Sequence, residues 1–256
     1  MPGVDKDTIL LWLRTARGIA RSLRVYYGNR RRARAMDRLY SQFIHSGDLV
    51  FDVGAHVGNR IASFRRLGAR VVAVEPQPAL VKVLKLLYGR TPTVTIEAAA
   101  VGSRIGIAKL MINIDNPTTS TASPAFIDAA RGAAGWEAQH WPASVDVALT
   151  TLDAMMARYG TPAFIKIDVE GFEAEALAGL SQRVSALSFE FTTIQRDLAA
   201  ACIVRCVELG YTLFNAALGE SQSLVHTSWL NASAIACWLA ALPHAANSGD
   251  VYAATG

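Results

Sequence analysis

Three acidic residues lie at the ends of apolar segments, and two glycines follow the first of them. The segments LVFDV, VVAVE and AFIKID bring Asp52, Glu75 and Asp168 to these ends. Continuously apolar runs indicate buried parallel strands, and ligands bind beyond the carboxyl ends of such strands. Gly54 and Gly58 bracket a tight turn into a helix, where missing side chains let a ligand approach the backbone. The pattern predicts a ligand site at one edge of a parallel sheet.

The spacing of these residues indicates a nucleoside-like cofactor. Glu75 follows Gly54 by 21 residues, an interval typical of a carboxylate that accepts both ribose hydroxyls. A dinucleotide fingerprint reads G-x-G-x-x-G, whereas this turn reads D-x-G-x-x-x-G with Asp52 before the first glycine. A carboxylate there repels a pyrophosphate but suits an α-amino group. S-adenosylmethionine is therefore the favoured cofactor, and a nicotinamide-dependent dehydrogenase or epimerase is the alternative.

Alternating strands and helices must position this site. From Leu49 onward, segments of strand length alternate with helical segments, which predicts a doubly wound, mostly parallel α/β sheet with right-handed crossovers. Residues 1–47 are interpreted as a basic helical extension, and residues 48–256 as the α/β domain. Within that domain, residues 105–149 are interpreted as an insertion or lid, because long irregular segments in compact domains are often binding loops.

Four stretches of the α/β domain resemble a known family. FDVGAHVGNRIASF, VVAVEPQPALVKVLK, VTIEAAAVGSRIG and TTLDAMM…AFIKIDVEGFEAEALAGL closely resemble the FkbM family of S-adenosylmethionine-dependent methyltransferases. The resemblance covers residues 48–195 and is most specific where KIDVEG follows TTLD. It implies a class I methyltransferase (Rossmann-like) fold. It also implies O-methylation of a hydroxyl on a sugar or small natural product, such as a glycolipid, polysaccharide or secondary metabolite.

The resemblance further implies which residues hold the cofactor. Asp52, Gly54, Ala55 and Gly58 would hold the methionine moiety. Glu75 and Pro76 would hold the ribose, and the backbone around Ala98 and Ala99 would lie against the adenine. His56 lies inside the glycine turn and is interpreted as packing beside the cofactor, with a role as a base as the alternative.

Three carboxylates are candidates for the chemical step, which requires removal of the acceptor hydroxyl's proton. Asp168 is the predicted base, supported by Glu170, because residues two apart on a strand point to the same side. Glu190, at the end of ALSFEF, is predicted to join them as an acceptor-binding residue. The structural alternative is that Asp168 and Glu170 serve the N-terminus of the following helix. The three could also bind Mg²⁺, but a hard cation needs more oxygens, so no metal is expected.

Two tryptophans and a lysine have two interpretations each. Trp136 and Trp141, in the insertion, either stack on a sugar or aromatic acceptor or anchor the loop to the core. Lys166, inside the buried strand FIKI, either pairs with one of the carboxylates or extends to an edge of the sheet.

Basic residues are concentrated at the N-terminus. Residues 1–48 carry ten basic side chains against four aspartates, whereas the remaining residues are slightly acidic. Peripheral contact with an anionic membrane, homodimer formation through residues 1–47, and a solvated face are the three interpretations. Nucleic acid is not an expected partner, because the basic face lacks interleaved aromatics. Three cysteines are too few for a disulfide framework and favour a reducing compartment, and no segment is long enough to span a membrane, so a cytoplasmic location is expected, with peripheral membrane contact as an open alternative. The expected partner is a small-molecule or glycan acceptor, and the alternative is a catalytically silent membrane- or partner-binding protein.

Overall fold

The computed structural model describes residues 6–255, and it describes side chains from residue 13 onward. The first five residues of the predicted extension therefore lie outside the described residues. Lys6–Tyr27 forms helix α1 and Arg30–Tyr40 forms helix α2. Among the described residues, no helix combines the length and the apolar composition needed to cross a membrane.

Ten strands form two sheets in the described part of the chain. They are β1 (Leu49–Val53), β2 (Arg70–Val74), β3 (Val94–Glu97), β4 (Ala100–Val101), β5 (Gly106–Ile112), β6 (Ala143–Thr150), β7 (Phe164–Ile167), β8 (Ala186–Thr192), β9 (Leu213–Leu218) and β10 (Ser248–Ala254). The larger sheet has the order β3-β2-β1-β7-β8-β10-β9. Strand β10 runs antiparallel to β8 and β9, and the other pairings are parallel. The predicted mostly parallel sheet is confirmed.

Helices cover both faces of the larger sheet. After α1 and α2 come α3 (Asn59–Arg66), α4 (Pro78–Tyr88), α5 (Pro124–Ala130), α6 (Leu152–Tyr159), α7 (Glu173–Ala178), α8 (Arg196–Glu208) and α9 (Ala232–Ala241). Successive strand residues point to opposite faces of the sheet. Phe51 and Val53 therefore pack in the hydrophobic core formed with α6–α9, and Val50 packs in the hydrophobic core formed with α2–α4 on the other face. Asp52 and Lys166 share the face of Val50, where they interrupt an otherwise apolar layer.

The smaller sheet has the order β4-β6-β5 and is built mainly from the insertion. The sequence predicts one strand across TVTIEAAAVG, and this prediction is wrong, because the chain leaves the larger sheet after Glu97 and β4 pairs with β6. The break brings Ala99 and Ala100 to the wall of a cavity. Strands β5 and β6 form an antiparallel pair, and Thr118, Ser120 and Ala122 of the segment between them line the same cavity.

The C-terminal strand lies elsewhere than predicted. The sequence favours a strand near SLVHT, but Val225 in that stretch is exposed and the last strand is β10. Val251 and Tyr252 of β10 are fully buried between β8 and β9, so the sheet gains more apolar burial from β10. Helix α9, which the sequence analysis does not predict, precedes β10.

Candidate active site

A cavity lies at the carboxyl ends of β1, β2 and β7. Gly54, Glu75 and Asp168, from the turns after these strands, form part of its wall. The other predicted residues on the wall are His56, Pro76, Ala99, Glu170 and Glu190. The wall also includes charged or polar residues that the sequence analysis missed, namely Tyr26, Arg60, Glu220 and Asp250. Arg60 lies inside the first motif, whereas Tyr26, Glu220 and Asp250 come from sequence segments far from the motifs, and no spacing rule connects them.

Glu75 is a buried carboxylate held by two backbone groups. Its Oε2 accepts a hydrogen bond from the backbone N–H of His56 at 2.8 Å, and its Oε1 accepts one from Gln77 at 2.8 Å. Burial raises the pKa of Glu75 to about 8, although these two hydrogen bonds oppose the shift. Each carboxylate oxygen keeps acceptor capacity for one more donor. The group is therefore oriented to accept two hydroxyls from the cavity.

The two glycines of the first turn are required by contacts within the protein. Gly54 has a φ of +84°, and a Cβ there would lie 1.7 Å from the carbonyl oxygen of Asp168. Gly58 has a φ of +83°, and a Cβ there would meet Tyr88 at 2.7 Å and Leu84 at 2.9 Å. The turn after β1 therefore packs directly on the turn after β7 and on α4. Gly54 lines the cavity, whereas Gly58 lies behind its wall.

Besides Gly58, two further residues of the predicted methionine-binding set, Asp52 and Ala55, lie away from the cavity wall. Asp52 is inside β1 rather than after it, and its side chain points to the α2–α4 face of the sheet. Burial raises the pKa of Asp52 to about 6, and neither carboxylate oxygen has a hydrogen-bond partner among the described residues. Ala55 is buried in the apolar core on the same face.

His56 is a neutral group at the edge of the cavity. Its ring lies edge-on to the ring of Tyr26 with 5.5 Å between centroids, and its Nε2 is 3.5 Å from the Thr118 hydroxyl. Burial lowers the pKa of His56 to about 4, so the ring carries no charge near neutral pH. The ring therefore packs at the edge of the cavity, and its predicted place beside the cofactor stays a prediction. Ala98, the remaining predicted contact, is exposed and does not line the cavity.

Asp168 is held by two cations. Arg60 contacts its carboxylate at 2.8 Å, and Lys166 lies 3.5 Å from it. Lys166, which has no solvent exposure, also contacts Asp250 at 2.6 Å, so it pairs with carboxylates rather than extending to an edge. Burial alone would raise the pKa of Asp168, but the charges of Lys166 and Arg60 outweigh burial and hold the pKa far below its usual range.

Two further carboxyls meet Asp168 in the cavity. One oxygen from each of Asp168, Glu170 and Glu190 lies within 4.8 Å of the others. Strand β7 ends at Ile167, so the predicted strand geometry for Asp168 and Glu170 is wrong, and a turn with Glu170 at φ +54° brings them together instead. Burial and then the Asp168 charge raise the pKa values of Glu170 and Glu190 well above the usual range. Neither has a cation within 4 Å among the described residues.

The turn after β7 is fixed by hydrogen bonds. The Thr121 hydroxyl donates to the Glu170 carbonyl at 2.6 Å, and Glu173 accepts from the N–H groups of Val169 and Gly171. Glu173 therefore accepts hydrogen bonds from the backbone N–H groups at the N-terminus of α7, the role that the structural alternative gave to Asp168 and Glu170. Glu170 lines the cavity instead.

The sequence profile of the FkbM methyltransferase domain matches residues 52–228, which is more than half of the chain. The chain belongs to this family. Membership implies S-adenosylmethionine as the methyl donor. Together with the strand order of the larger sheet, it identifies the class I methyltransferase fold. Comparison by sequence with curated proteins gives no match.

Solved methyltransferase structures are similar to this FkbM family member only at low identity. A TehB-like SAM-dependent methyltransferase from Corynebacterium glutamicum matches with a TM-score of 0.44 and 12% identity over 87% of this chain and 88% of its own. A precorrin-6y C5,15-methyltransferase from Geobacter metallireducens matches with a TM-score of 0.42 and 12% identity over 88% and 87%.

The donor set of the cavity fits S-adenosylmethionine. Glu75 presents oxygens to two hydroxyls, as a ribose requires, and it has no competing cation among the described residues within 4 Å. Ala99, Ala100, Val101 and Leu110 give the cavity an apolar wall that suits an adenine base. Glu75 and Ala99 of the FkbM motifs both line this cavity.

The tryptophans of the insertion anchor it in this family member. Trp136 packs edge-on against Phe126 at 5.3 Å, and Trp141 packs against the same ring at 6.2 Å. The indole N–H of Trp141 also donates to the Thr119 carbonyl at 2.7 Å. Neither tryptophan lines the cavity, so the geometry favours the anchoring interpretation.

Proposed function

We propose that this FkbM family member transfers a methyl group from S-adenosylmethionine to a hydroxyl of a sugar or small natural product, such as a glycolipid, polysaccharide or secondary metabolite. The observation that carries the proposal is the group of three carboxyls, Asp168, Glu170 and Glu190, in the same cavity as Glu75. A hydroxyl must lose its proton as it is methylated, whereas a neutral amine attacks without prior loss of a proton. A built-in proton acceptor therefore favours an oxygen acceptor.

Within this proposal, Glu170 and Glu190 take the proton, and Asp168 orients the site. Arg60 and Lys166 hold the pKa of Asp168 far below its usual range, which makes Asp168 a weak proton acceptor. Burial and the neighbouring Asp168 charge raise the pKa values of Glu170 and Glu190, so their carboxylates accept a proton more readily than that of Asp168. The two carboxyls interact and titrate as a pair, so the proton is taken by the pair rather than assigned to one of them.

The chain's other contributions are binding and exclusion of water. S-adenosylmethionine, when bound, supplies a methyl group activated by its sulfonium. Glu75 would hold the ribose hydroxyls, and the apolar wall formed by Ala99, Ala100 and Val101 would hold the base and exclude water. Arg60 and Lys166 keep Asp168 ionised and in place, which fixes the turn that carries Glu170.

The cofactor assignment is tested by calorimetric titration with S-adenosylmethionine, S-adenosylhomocysteine and NAD⁺. We expect the two adenosyl compounds to bind and NAD⁺ not to bind. Glu75→Gln should weaken binding about a hundredfold or more, since it removes two hydrogen bonds to a charged acceptor. Glu97→Gln is the matched control, because Glu97 ends the adjacent strand and pairs with Arg158 at 3.1 Å. Binding of NAD⁺, or equal affinity of both variants, would refute the assignment.

The chemical step is tested by S-adenosylhomocysteine formation with a panel of sugars, glycolipids and hydroxylated natural products. With a responsive acceptor, Glu190→Gln and Glu170→Gln should each lower kcat about a hundredfold or more without weakening cofactor binding. Asp128→Asn is the control, because Asp128 of α5 forms an exposed ion pair with Arg131, the residue that follows this helix. If chelation abolishes turnover and Mg²⁺ restores it, the carboxyls bind a metal and the general-base proposal falls.

The catalytically silent alternative has a distinct outcome. A chain that binds S-adenosylmethionine but methylates no hydroxyl in the panel would support a binding role rather than the proposed transfer. Membrane contact and homodimer formation through residues 1–47 stay predictions. Liposome binding by the full chain tests the membrane contact.

A further inference from the structure

We infer that helix α1 is part of the catalytic unit, and that Asp115 is a positioning residue through which α1 holds the 113–120 loop shut over the ribose end of the cavity. Exchange of the donor then requires transient release of this loop. The inference rests on the proposed use of the cavity by S-adenosylmethionine and goes beyond it, since it gives the N-terminal helix a role in the methyl-transfer cycle.

The 113–120 loop sits directly on the turn that carries Glu75. The Gln77 side-chain amide donates to the Pro117 carbonyl at 2.9 Å, and the Ser120 hydroxyl donates to the Gln77 amide oxygen at 3.1 Å. Thr118 and Ser120 form part of the cavity wall. A ligand on Glu75 would therefore be covered by this loop.

Helix α1 in turn crosses the outer side of the loop. A Cβ on Gly18 would lie 2.9 Å from the Pro117 ring, so helix and loop are in close contact. The Arg14 guanidinium binds the Asp115 carboxylate through two nitrogens, with the Nε contact at 3.0 Å. Arg21 donates to the Asp115 carbonyl at 2.6 Å. Asp115 thus receives two arginines from one face of α1.

The C-terminal end of α1 reaches the glycine turn on the other side of the cavity. The Tyr26 ring lies edge-on to His56 and forms part of the cavity wall. The Tyr27 hydroxyl donates to the Val57 carbonyl at 3.0 Å and lies 2.6 Å from the Tyr88 hydroxyl. One helix therefore binds both the loop that covers Glu75 and the turn that follows β1.

The contact at Asp115 is suited to repeated opening. The side chains of Arg14 and Asp115 are 44% and 59% exposed, so water and salt weaken the ion pair. At the other end of the helix the Tyr27 hydroxyl is bonded to the main chain at Val57 and contacts the Tyr88 hydroxyl, and neither contact is a salt-sensitive ion pair, which makes it the fixed end. The loop side of the helix is thus the side that releases first.

The test is the dissociation rate of S-adenosylhomocysteine from the full chain, measured at low and high ionic strength. Asp115→Asn and Arg14→Gln should release it roughly two- to fivefold faster at low salt, the effect expected of an exposed pair. They should also lose the acceleration by salt that the unmodified chain shows. Arg17→Gln is the matched control, because Arg17 is an exposed arginine of α1 that forms no ion pair in the described part of the chain.

Rescue separates positioning from a general structural effect. The swapped pair Arg14→Asp/Asp115→Arg should restore slow release, and the melting temperatures of all four variants should stay close to that of the unmodified chain. Unchanged release from Asp115→Asn, or faster release without rescue by the swap, would overturn the inference. Failure of the unmodified chain to bind S-adenosylhomocysteine would instead refute the cofactor assignment, so the two failures are distinguishable.

Discussion

Lys166 is a cation without solvent exposure in the centre of the larger sheet, and its replacement should have a large effect. Lys166→Met keeps the shape of the side chain but removes the charge that contacts Asp250 at 2.6 Å and Asp168 at 3.5 Å. Asp168 retains Arg60 at 2.8 Å, whereas Asp250 has no other cation within 4 Å among the described residues. The variant therefore leaves one carboxylate in a largely buried position without a counter-charge.

Removing one partner of a buried ion pair costs about 3–5 kcal/mol of unfolding free energy. For a chain of this size, each kcal/mol lowers Tm by about 2–4 °C, so Lys166→Met should melt roughly 6–20 °C lower. Lys166→Met/Asp250→Asn removes both charges of the closest pair and should recover at least half of this loss. Urea denaturation with an unchanged m-value would show that stability alone has changed.

The stability lost in Lys166→Met should also depend on pH. Lys166 lowers the pKa of Asp168 in the folded chain, so its stabilising effect is present above the unfolded pKa near 4 and is lost as the pH falls through the folded value. The difference in unfolding free energy between the unmodified chain and Lys166→Met should therefore become smaller below about pH 4. Two results would refute the reasoning. One is a Tm of Lys166→Met within 2 °C of the unmodified chain, which is about the equivalent of 1 kcal/mol. The other is a double variant that is no more stable than Lys166→Met.

Three other substitutions test separate contacts. Gly54→Ala should destabilise the folded chain by at least about 2 kcal/mol more than Gly132→Ala. Both glycines have a positive φ, but only a Cβ at Gly54 would meet the Asp168 carbonyl. Equal melting temperatures of the two variants would contradict this prediction. The folded pKa of Glu75 exceeds its unfolded value of 4.5, so the ligand-free chain should lose stability as pH rises toward about 8. For the same reason, S-adenosylhomocysteine binding near pH 7 should release a proton in calorimetry, and Glu75→Gln should abolish this release. Trp141→Phe should cost about 1 kcal/mol without changing cofactor affinity, and a selective loss of acceptor binding would instead support stacking.

The cofactor side of the site is predictable from the sequence because its positions are fixed by local rules. Buried parallel strands are continuous apolar runs, so the polar residue that ends one, such as Glu75, is visible in the sequence. The parallel arrangement then brings all such ends to one edge. The same rules bring Ala99 close to that edge, although they miss the break between β3 and β4.

Side-chain direction is less predictable than position. Asp52 belongs to the first motif, but it lies within β1 and points to the α2–α4 face, so its carboxylate is separated from the cavity. The glycines of the turn look from the sequence like space for a ligand. In the structure, Gly54 and Gly58 make room for the Asp168 carbonyl and for α4.

The sequence alone determines the family, the alternation of strands and helices, and the residues at the strand ends, because each depends on neighbours within a few positions. Only the tertiary structure decides which carboxyl can take a proton. Asp168 and Glu170 are two residues apart, yet Arg60 and Lys166 bind the first and leave the second without a cation. Their pKa values shift in opposite directions, because charge interactions depend on distance in space and on burial, and neither can be read from sequence separation.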